Sequence, residues 1–218
     1  MSTALVVGGT HGIGRVVAKT LEAGGETVTA IGRHTVYTPG PLTHLVFCQR
    51  YRDGADAWQG EIDTSLTRTR NIIECNIDFF DHDPSNCIVI MSSIIARSVA
   101  DEQPVSYHMA KAALEAMVRY YAVTLGPKGI RVNGVAPGVT LKPENLLYYT
   151  SHPQKVAQFS RLNPLGRMGT AQEVANVVKF LCSPEASFVN GAIIPVDGGV
   201  SLLNPESLAS RYLAERQL

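Results

Sequence analysis

The tightest constraint on this chain is Gly8-Gly-Thr-His-Gly12-Ile-Gly14 and what flanks it. Ala4-Leu-Val-Val7 precedes it, an apolar run closed by paired glycines, which reads as a buried strand ending in a tight turn. From Ile13 to Ala23 the spacing turns helical, with Ile13, Val16, Val17, Thr20 and Leu21 on one side, and Gly24-Gly25 stops the helix. Residues 27–31 read as a second strand, closed by Gly32-Arg33. Strand, helix and strand within about 30 residues form one βαβ unit, which crosses over right-handed and sets two strands parallel. In such a unit the first glycine lets the chain turn, the second lets backbone approach a pyrophosphate, and the third lets helix pack on strand. The helix N-terminus adds unpaired N–H groups and a partial positive charge. Gly8, Thr10, His11, Gly12, Ile13 and Gly14 are therefore the expected wall of a dinucleotide site.

The same alternation runs on. Strands are predicted at 44–48, 87–91, 130–135 and 192–196, and helices at about 63–78, 106–125 and 171–182. Thr170 with Glu173 makes a capping box for the last of these. The pattern predicts one doubly wound α/β domain over residues 1–199, with a six-stranded parallel sheet, then a C-terminal tail, 200–218, holding one helix at 205–216. Ligands of such sheets sit off the carboxyl ends of the strands. The glycine turn, Ser93 and Pro137-Gly138 all follow predicted strand ends, so they converge on one edge.

Tyr107 and Lys111 lie four residues apart at the start of the long helix, one turn apart on one face. A tyrosine hydroxyl, with a reference pKa of about 10, is a poor acid or base at neutral pH. A lysine ammonium beside it is expected to stabilise the phenolate and pull that pKa down. Ser93 lies 14 residues upstream, placed to hold a carbonyl oxygen while Tyr107 protonates it. That is the acid half of a carbonyl reduction. His108 falls on another helix face and reads as a surface or interface residue.

Arg33 ends the second strand 19 residues after Gly14, where an NAD site carries an acid for the ribose 2′-hydroxyl. No acid stands there. Arg33, His34 and His11 suit a 2′-phosphate, which points to NADP(H); the alternative is a solvated turn arginine.

Composition removes other classes. The chain is 45% hydrophobic and 17% charged over 218 residues, enough for a full core. Its 19 basic and 19 acidic residues cancel, so nothing draws nucleic acid or an anionic membrane over long range. Cys48, Cys75, Cys87 and Cys182 have no metal-site spacing and read as buried free thiols; no metal is expected. There is no signal-peptide pattern and no apolar run of the roughly 18 residues a bilayer needs, so a cytoplasmic location is expected.

Taken together, Gly8-x-x-x-Gly12-Ile-Gly14, Ser92-Ser93, Tyr107-x-x-x-Lys111, the Arg131–Gly138 segment, Pro164-Leu-Gly-Arg-Met-Gly169 and Val196-Asp-Gly-Gly199 resemble the short-chain dehydrogenase/reductase family over nearly the whole length. The resemblance implies a Rossmann-like fold, a nicotinamide cofactor and a small carbonyl or alcohol substrate. It implies Tyr107 as general acid/base, Lys111 on the nicotinamide ribose, Ser93 on the substrate oxygen, and Pro137, Gly138 and Thr140 at the cofactor. It also implies a homodimer or homotetramer joined through the helix carrying Tyr107. Segment 143–160 corresponds to the family's lid, with Leu146, Leu147, Tyr148, Tyr149 and Phe159 as its expected apolar inner face.

Three departures stand out. Residues 34–43 are too few for the family's third strand and following helix, so the strand at 27–31 becomes a sheet edge. Phe47-Cys48-Gln49-Arg50 replaces small residues that line the cofactor, and Arg50 or Arg52 faces either an anionic substrate, cofactor phosphate or solvent. Asp63 stands where the family has an asparagine of the proton relay beside Lys111. The leading reading is an NADPH-dependent enzyme interconverting ketone and secondary alcohol. The alternatives are a non-catalytic partner subunit of the same fold, or a non-redox dehydratase or isomerase.

Overall fold

In a computed structural model that describes residues 2–52, 57–81 and 83–213, six strands form one parallel sheet. They are β1 (Thr3–Val7), β2 (Thr27–Ile31), β3 (His44–Phe47), β4 (Cys87–Met91), β5 (Arg131–Pro137) and β8 (Ile193–Val196), in the order β2-β1-β3-β4-β5-β8. Two short strands, β6 (Thr140–Leu141) and β7 (Gly169–Thr170), form a separate parallel ladder beyond the end of β5. The central strands are buried along their whole length, as continuous Val, Ile and Leu runs require when helices cover both faces.

One face carries α1 (Gly12–Glu22) and α7 (Ala171–Leu181), packed on Val6, Val46, Val89 and Val135. The other carries α3 (Arg68–Asn76) and α4 (Val105–Leu125), packed on Leu5, Leu45, Ile88, Ile90 and Val132. Alternate residues of each strand thus serve two cores. Burying side chains of this size contributes about 1.5–3 kcal/mol each, so the sheet centre is the least yielding part of the molecule.

The third strand and its helix are absent, as the short 34–43 segment predicts. Tyr37 hydroxyl donates to Asn76 Oδ1 at 2.8 Å, and Leu42 forms a parallel bridge with Phe80, so the segment is tied down without adding a strand to the β2 edge. Most of β2 is left partly or fully exposed.

One element boundary differs markedly from the sequence reading. The helix expected from residue 63 begins at α2 (Ala57–Glu61) and widens into a π-helical turn over Ile62–Thr67 before continuing as α3. Its polar, glycine-containing start hid it. The lid resolves into α5 (Pro143–Thr150) and α6 (Pro153–Leu162), and α8 (Pro205–Leu213) packs against α6. The capping box at α7 is present, with Glu173 N–H donating to Thr170 Oγ1 at 3.2 Å and Thr170 N–H to Glu173 Oε2 at 2.8 Å. All four cysteines are free, and Cys87 and Cys182 are buried. Cys75 is exposed rather than buried, because it lies on the outer side of α3.

Candidate active site

A cavity of about 910 Å³ opens along the carboxyl ends of the strands. Gly8, Thr10, His11, Gly12, Ile13, Arg33, His34, Ser93, Tyr107, Lys111, Pro137, Gly138 and Thr140 all line it. Of the residues singled out for the site, Gly14, Asp63 and the lid's Leu146, Leu147, Tyr148, Tyr149 and Phe159 do not.

Tyr107 and Lys111 are buried at one end, on the first turns of α4. Lys111 Nζ donates to the Met91 carbonyl at 2.8 Å, which fastens α4 to the end of β4. Burial pulls its pKa down to about 8, against an upward pull from the Glu61 carboxylate. Tyr107 departs from the sequence expectation. Burial pushes its pKa up, while the Arg50 charge pulls it down most and the Ser93 hydroxyl next. The lysine ammonium lies 5.6 Å from the tyrosine ring centroid and spends a donor on Met91, whereas the Arg50 guanidinium sits over the ring at 3.8 Å. Tyr107 is thus held neutral, in its proton-donating form. Ser93 Oγ accepts from the Ile95 N–H at 3.4 Å and stands near the phenol short of a well-formed bond to it. Ser92 turns the other way, donating at 3.3 Å toward both the Lys111 carbonyl and Glu115 Oε1.

The relay position needs correcting. Asp63 is exposed and accepts from Gln59 Nε2 at 2.8 Å, away from Lys111. The carboxylate acting on Lys111 belongs to Glu61, buried and accepting from Ser65 Oγ at 2.5 Å. Helical spacing is the cause: Glu61, Thr64 and Ser65 lie three and four residues apart on one face, and Asp63 falls on the other. Gln49 braces the wide turn over 62–67, donating to the Thr64 carbonyl at 3.5 Å and, just beyond the turn, to Thr69 Oγ1 at 2.6 Å.

At the middle of the cavity the glycine turn is sterically enforced. Gly8 has φ +78°, and a Cβ there would lie 2.6 Å from the Gln49 N. A Cβ at Gly14 would collide with the Gly8 carbonyl, so Gly14 serves close packing rather than ligand contact. The N-terminus of α1 is occupied by a carboxylate. Glu144, on the first turn of α5, accepts from the Gly12 N–H at 2.9 Å and from Arg15 Nη2 at 3.1 Å. Burial works to raise its pKa, but the Gly12 bond and the charges of Arg15 and Lys142 hold it low. Its oxygens stand where an anionic ligand's oxygens are drawn.

At the far end Arg33 and His34 are exposed. Arg68 holds this turn, donating to the Gly32 carbonyl at 2.8 Å and to the Arg33 carbonyl. Arg33 leans on Tyr51, its guanidinium 5.1 Å from the ring centroid. Glu144 is the one carboxylate among the described residues lining the cavity.

The lid contributes Lys142 and Glu144 to the cavity, not its apolar residues. Leu146, Leu147 and Tyr148 are exposed, because α5 turns that face outward; Tyr149 packs edge to face on Tyr148 at 5.3 Å and on Phe159 at 6.2 Å between ring centroids. His108 Nε2 accepts from the Ala100 N–H at 3.0 Å, which pins the loop before α4. Glu61, Arg68 and Glu144 were not found from sequence. Glu144 has a signal in retrospect, an acid two residues past the Thr140-Leu-Lys142 segment that leaves β5, but nothing in spacing alone aims it at Gly12.

The sheet order, the glycine-rich first crossover and the buried Tyr107–Lys111 pair beside Ser93 define a Rossmann-like α/β protein with a Ser-Tyr-Lys constellation. The profile described as Enoyl-(Acyl carrier protein) reductase matches residues 51–201, and the chain belongs to the short-chain dehydrogenase/reductase family. Isoepoxydon dehydrogenase of Penicillium expansum is 34% identical over 145 residues, 66% of this chain and 56% of that protein. The peroxisomal 2,4-dienoyl-CoA reductase of Rattus norvegicus is 33% identical over 156 residues, 70% of this chain and 52% of that protein. The chain thus spans about half the length of these curated relatives. A short-chain dehydrogenase/reductase family oxidoreductase from Burkholderia thailandensis superposes with a TM-score of 0.81 at 24% identity, covering 98% of this chain and 97% of that one. No helix among the described residues is long and apolar enough to cross a membrane.

Proposed function

We propose that the protein is an NADPH-dependent oxidoreductase interconverting a ketone and a secondary alcohol. The observation that carries this reading is the neutral, buried Tyr107 beside Ser93 and Lys111 at one end of a cavity whose middle is a helix N-terminus already gripping an anion.

The residues fit a nicotinamide dinucleotide. Gly8 and Gly12, both at positive φ, put backbone without a side chain on the cavity wall, and the Gly12 N–H holds a carboxylate in place of a phosphate. Gly8, Thr10, His11, Gly12 and Ile13 would hold the pyrophosphate, with Thr140 and Lys142 opposite. Arg33 and His34 would meet the 2′-phosphate, and the lack of a carboxylate beside them favours NADP(H) over NAD(H). Bound there, the nicotinamide supplies or accepts the hydride. Ser93 Oγ donates to the carbonyl oxygen and fixes its place. Tyr107 Oη gives that oxygen its proton, and Arg50 and Ser93, which both favour the phenolate, stabilise what remains. Lys111, still largely cationic at neutral pH, holds Met91 and adds positive charge. Exposed Met109, Tyr120 and Val123 on α4 support assembly as a homodimer or homotetramer through that helix.

The test is NADPH oxidation against a ketone panel. Tyr107→Phe should lower kcat by about 10²–10⁴ and leave NADPH affinity intact; turnover that survives this change sinks the assignment. A second reading, a non-catalytic partner subunit, is favoured by Glu144 sitting on the phosphate position. It predicts no NADPH binding at all.

A further inference from the structure

Arg50 and Arg52 line the Tyr107 end of the cavity, and no ion pair to a carboxylate is found for either among the described residues. The Arg50 guanidinium lies 3.8 Å from the Tyr107 ring centroid and donates from Nη2 to Gln103 Oε1 at 2.6 Å. Its Nε is buried and has no hydrogen-bond partner. Arg50 as a whole is half-buried, so part of its guanidinium faces the cavity, where an anionic acceptor can satisfy donors that the protein leaves unmet. Gln103 and the ring hold the group but neutralise nothing, so it remains a full positive charge beside the reacting hydroxyl.

The neighbouring charges sharpen this. Both arginines push down the pKa of Lys142, after burial, which means that the three cations repel one another across the same space. Among the described residues, the acids that act on this end of the cavity are engaged elsewhere: Glu144 with Gly12 and Arg15, Glu61 with Ser65. Among the described residues, a chain of zero formal net charge thus gathers positive charge at the Tyr107 end of its cavity.

We propose that the substrate is an oxo acid, a ketone carrying a carboxylate one or two carbons from the carbonyl, with Arg50 and Arg52 receiving that carboxylate. This rests on the reading of Tyr107 as the proton donor. The short reach follows from the stacking: a guanidinium lying on the tyrosine ring can only meet an anion attached close to the carbon whose oxygen Tyr107 serves. An anion carried at the far end of a long acyl chain would not use it. The carboxylate satisfies the arginine's fork in a way a neutral ester or amide cannot. Lys142, beside Gly12, is left to the phosphates at the centre of the cavity.

The test measures binding of short 2-oxo and 3-oxo acids and their methyl esters by calorimetry to the protein saturated with NADP+, with NADPH titrated separately by fluorescence. Arg50→Gln and Arg52→Gln are compared with the unmodified chain. The acids should bind at least about tenfold more tightly than their esters, and Arg50→Gln should remove about 10- to 100-fold of that preference. Equal binding of acid and ester by the unmodified chain, or binding of neither, overturns the proposal while leaving the cofactor reading intact. An Arg50→Gln variant that keeps its acid preference but loses NADPH affinity also overturns it, assigning the arginine to cofactor phosphate. Failure of the unmodified chain to bind either dinucleotide sinks the underlying reading instead.

Discussion

At the Tyr107 end of the cavity the reactive groups stand on the buried strand β4 and the buried face of α4, while at the Arg33 end they hang from an edge strand and an exposed turn. The first end is finished: Lys111 is bonded to Met91, Arg50 to Gln103 and Tyr107, and the wide helical turn is braced by Gln49. The second lacks the strand and helix that would shield β2, and the anion site between the two ends is filled by the chain's own Glu144. The difference locates the energetic question. The groups proposed for acid–base work are held in place by the protein itself, so on the proposed reading affinity is decided where Glu144 would yield and where Arg33 would meet a phosphate.

The largest effect should come from the finished end. Lys111 has a folded pKa of about 8 against an ordinary value near 10.5. Between those values the unfolded chain holds more protons than the folded one, so this group adds stability as pH rises from about 8 to 10.5. The unfolding free energy of the wild type should therefore gain about 3 kcal/mol on that of Lys111→Met across that window. Denaturant midpoints at several pH values measure it. A constant difference would mean that the buried end is not closed as described.

The open end should respond less and in affinity alone. Arg33→Leu should weaken NADPH about tenfold and leave NADH nearly unchanged. Equal losses for both cofactors would detach Arg33 from the 2′-phosphate. Glu144→Gln should tighten NADPH by about fivefold, because a carboxylate at a helix N-terminus is worth about 1 kcal/mol and must be displaced. An unchanged or weaker affinity would make Glu144 a bystander or a contact of the bound cofactor.

The same contrast governs what was legible in the sequence. The glycine turn, the six strands and the Tyr107–Lys111 spacing could be read because each is a local pattern with one steric or periodic solution. The missing strand could be read by counting residues 34–43. Asp63 misled because its place rests on correspondence with a family motif, whereas the helix sets it on the face opposite Glu61 and Ser65. The fall in the tyrosine pKa expected from Lys111 failed for a related reason: spacing brings the two residues to one face but does not say that the ammonium bonds Met91 or that Arg50 covers the ring. Glu144 reaches Gly12 across 132 residues, a contact only the folded chain discloses.

The most direct test is an equilibrium titration of NADPH fluorescence with the unmodified chain. Saturable binding well below about 1 mM is expected, with NADH binding more weakly. The absence of saturation up to that concentration would contradict the account, leaving the Ser93, Tyr107 and Lys111 set without the hydride source it is proposed to serve.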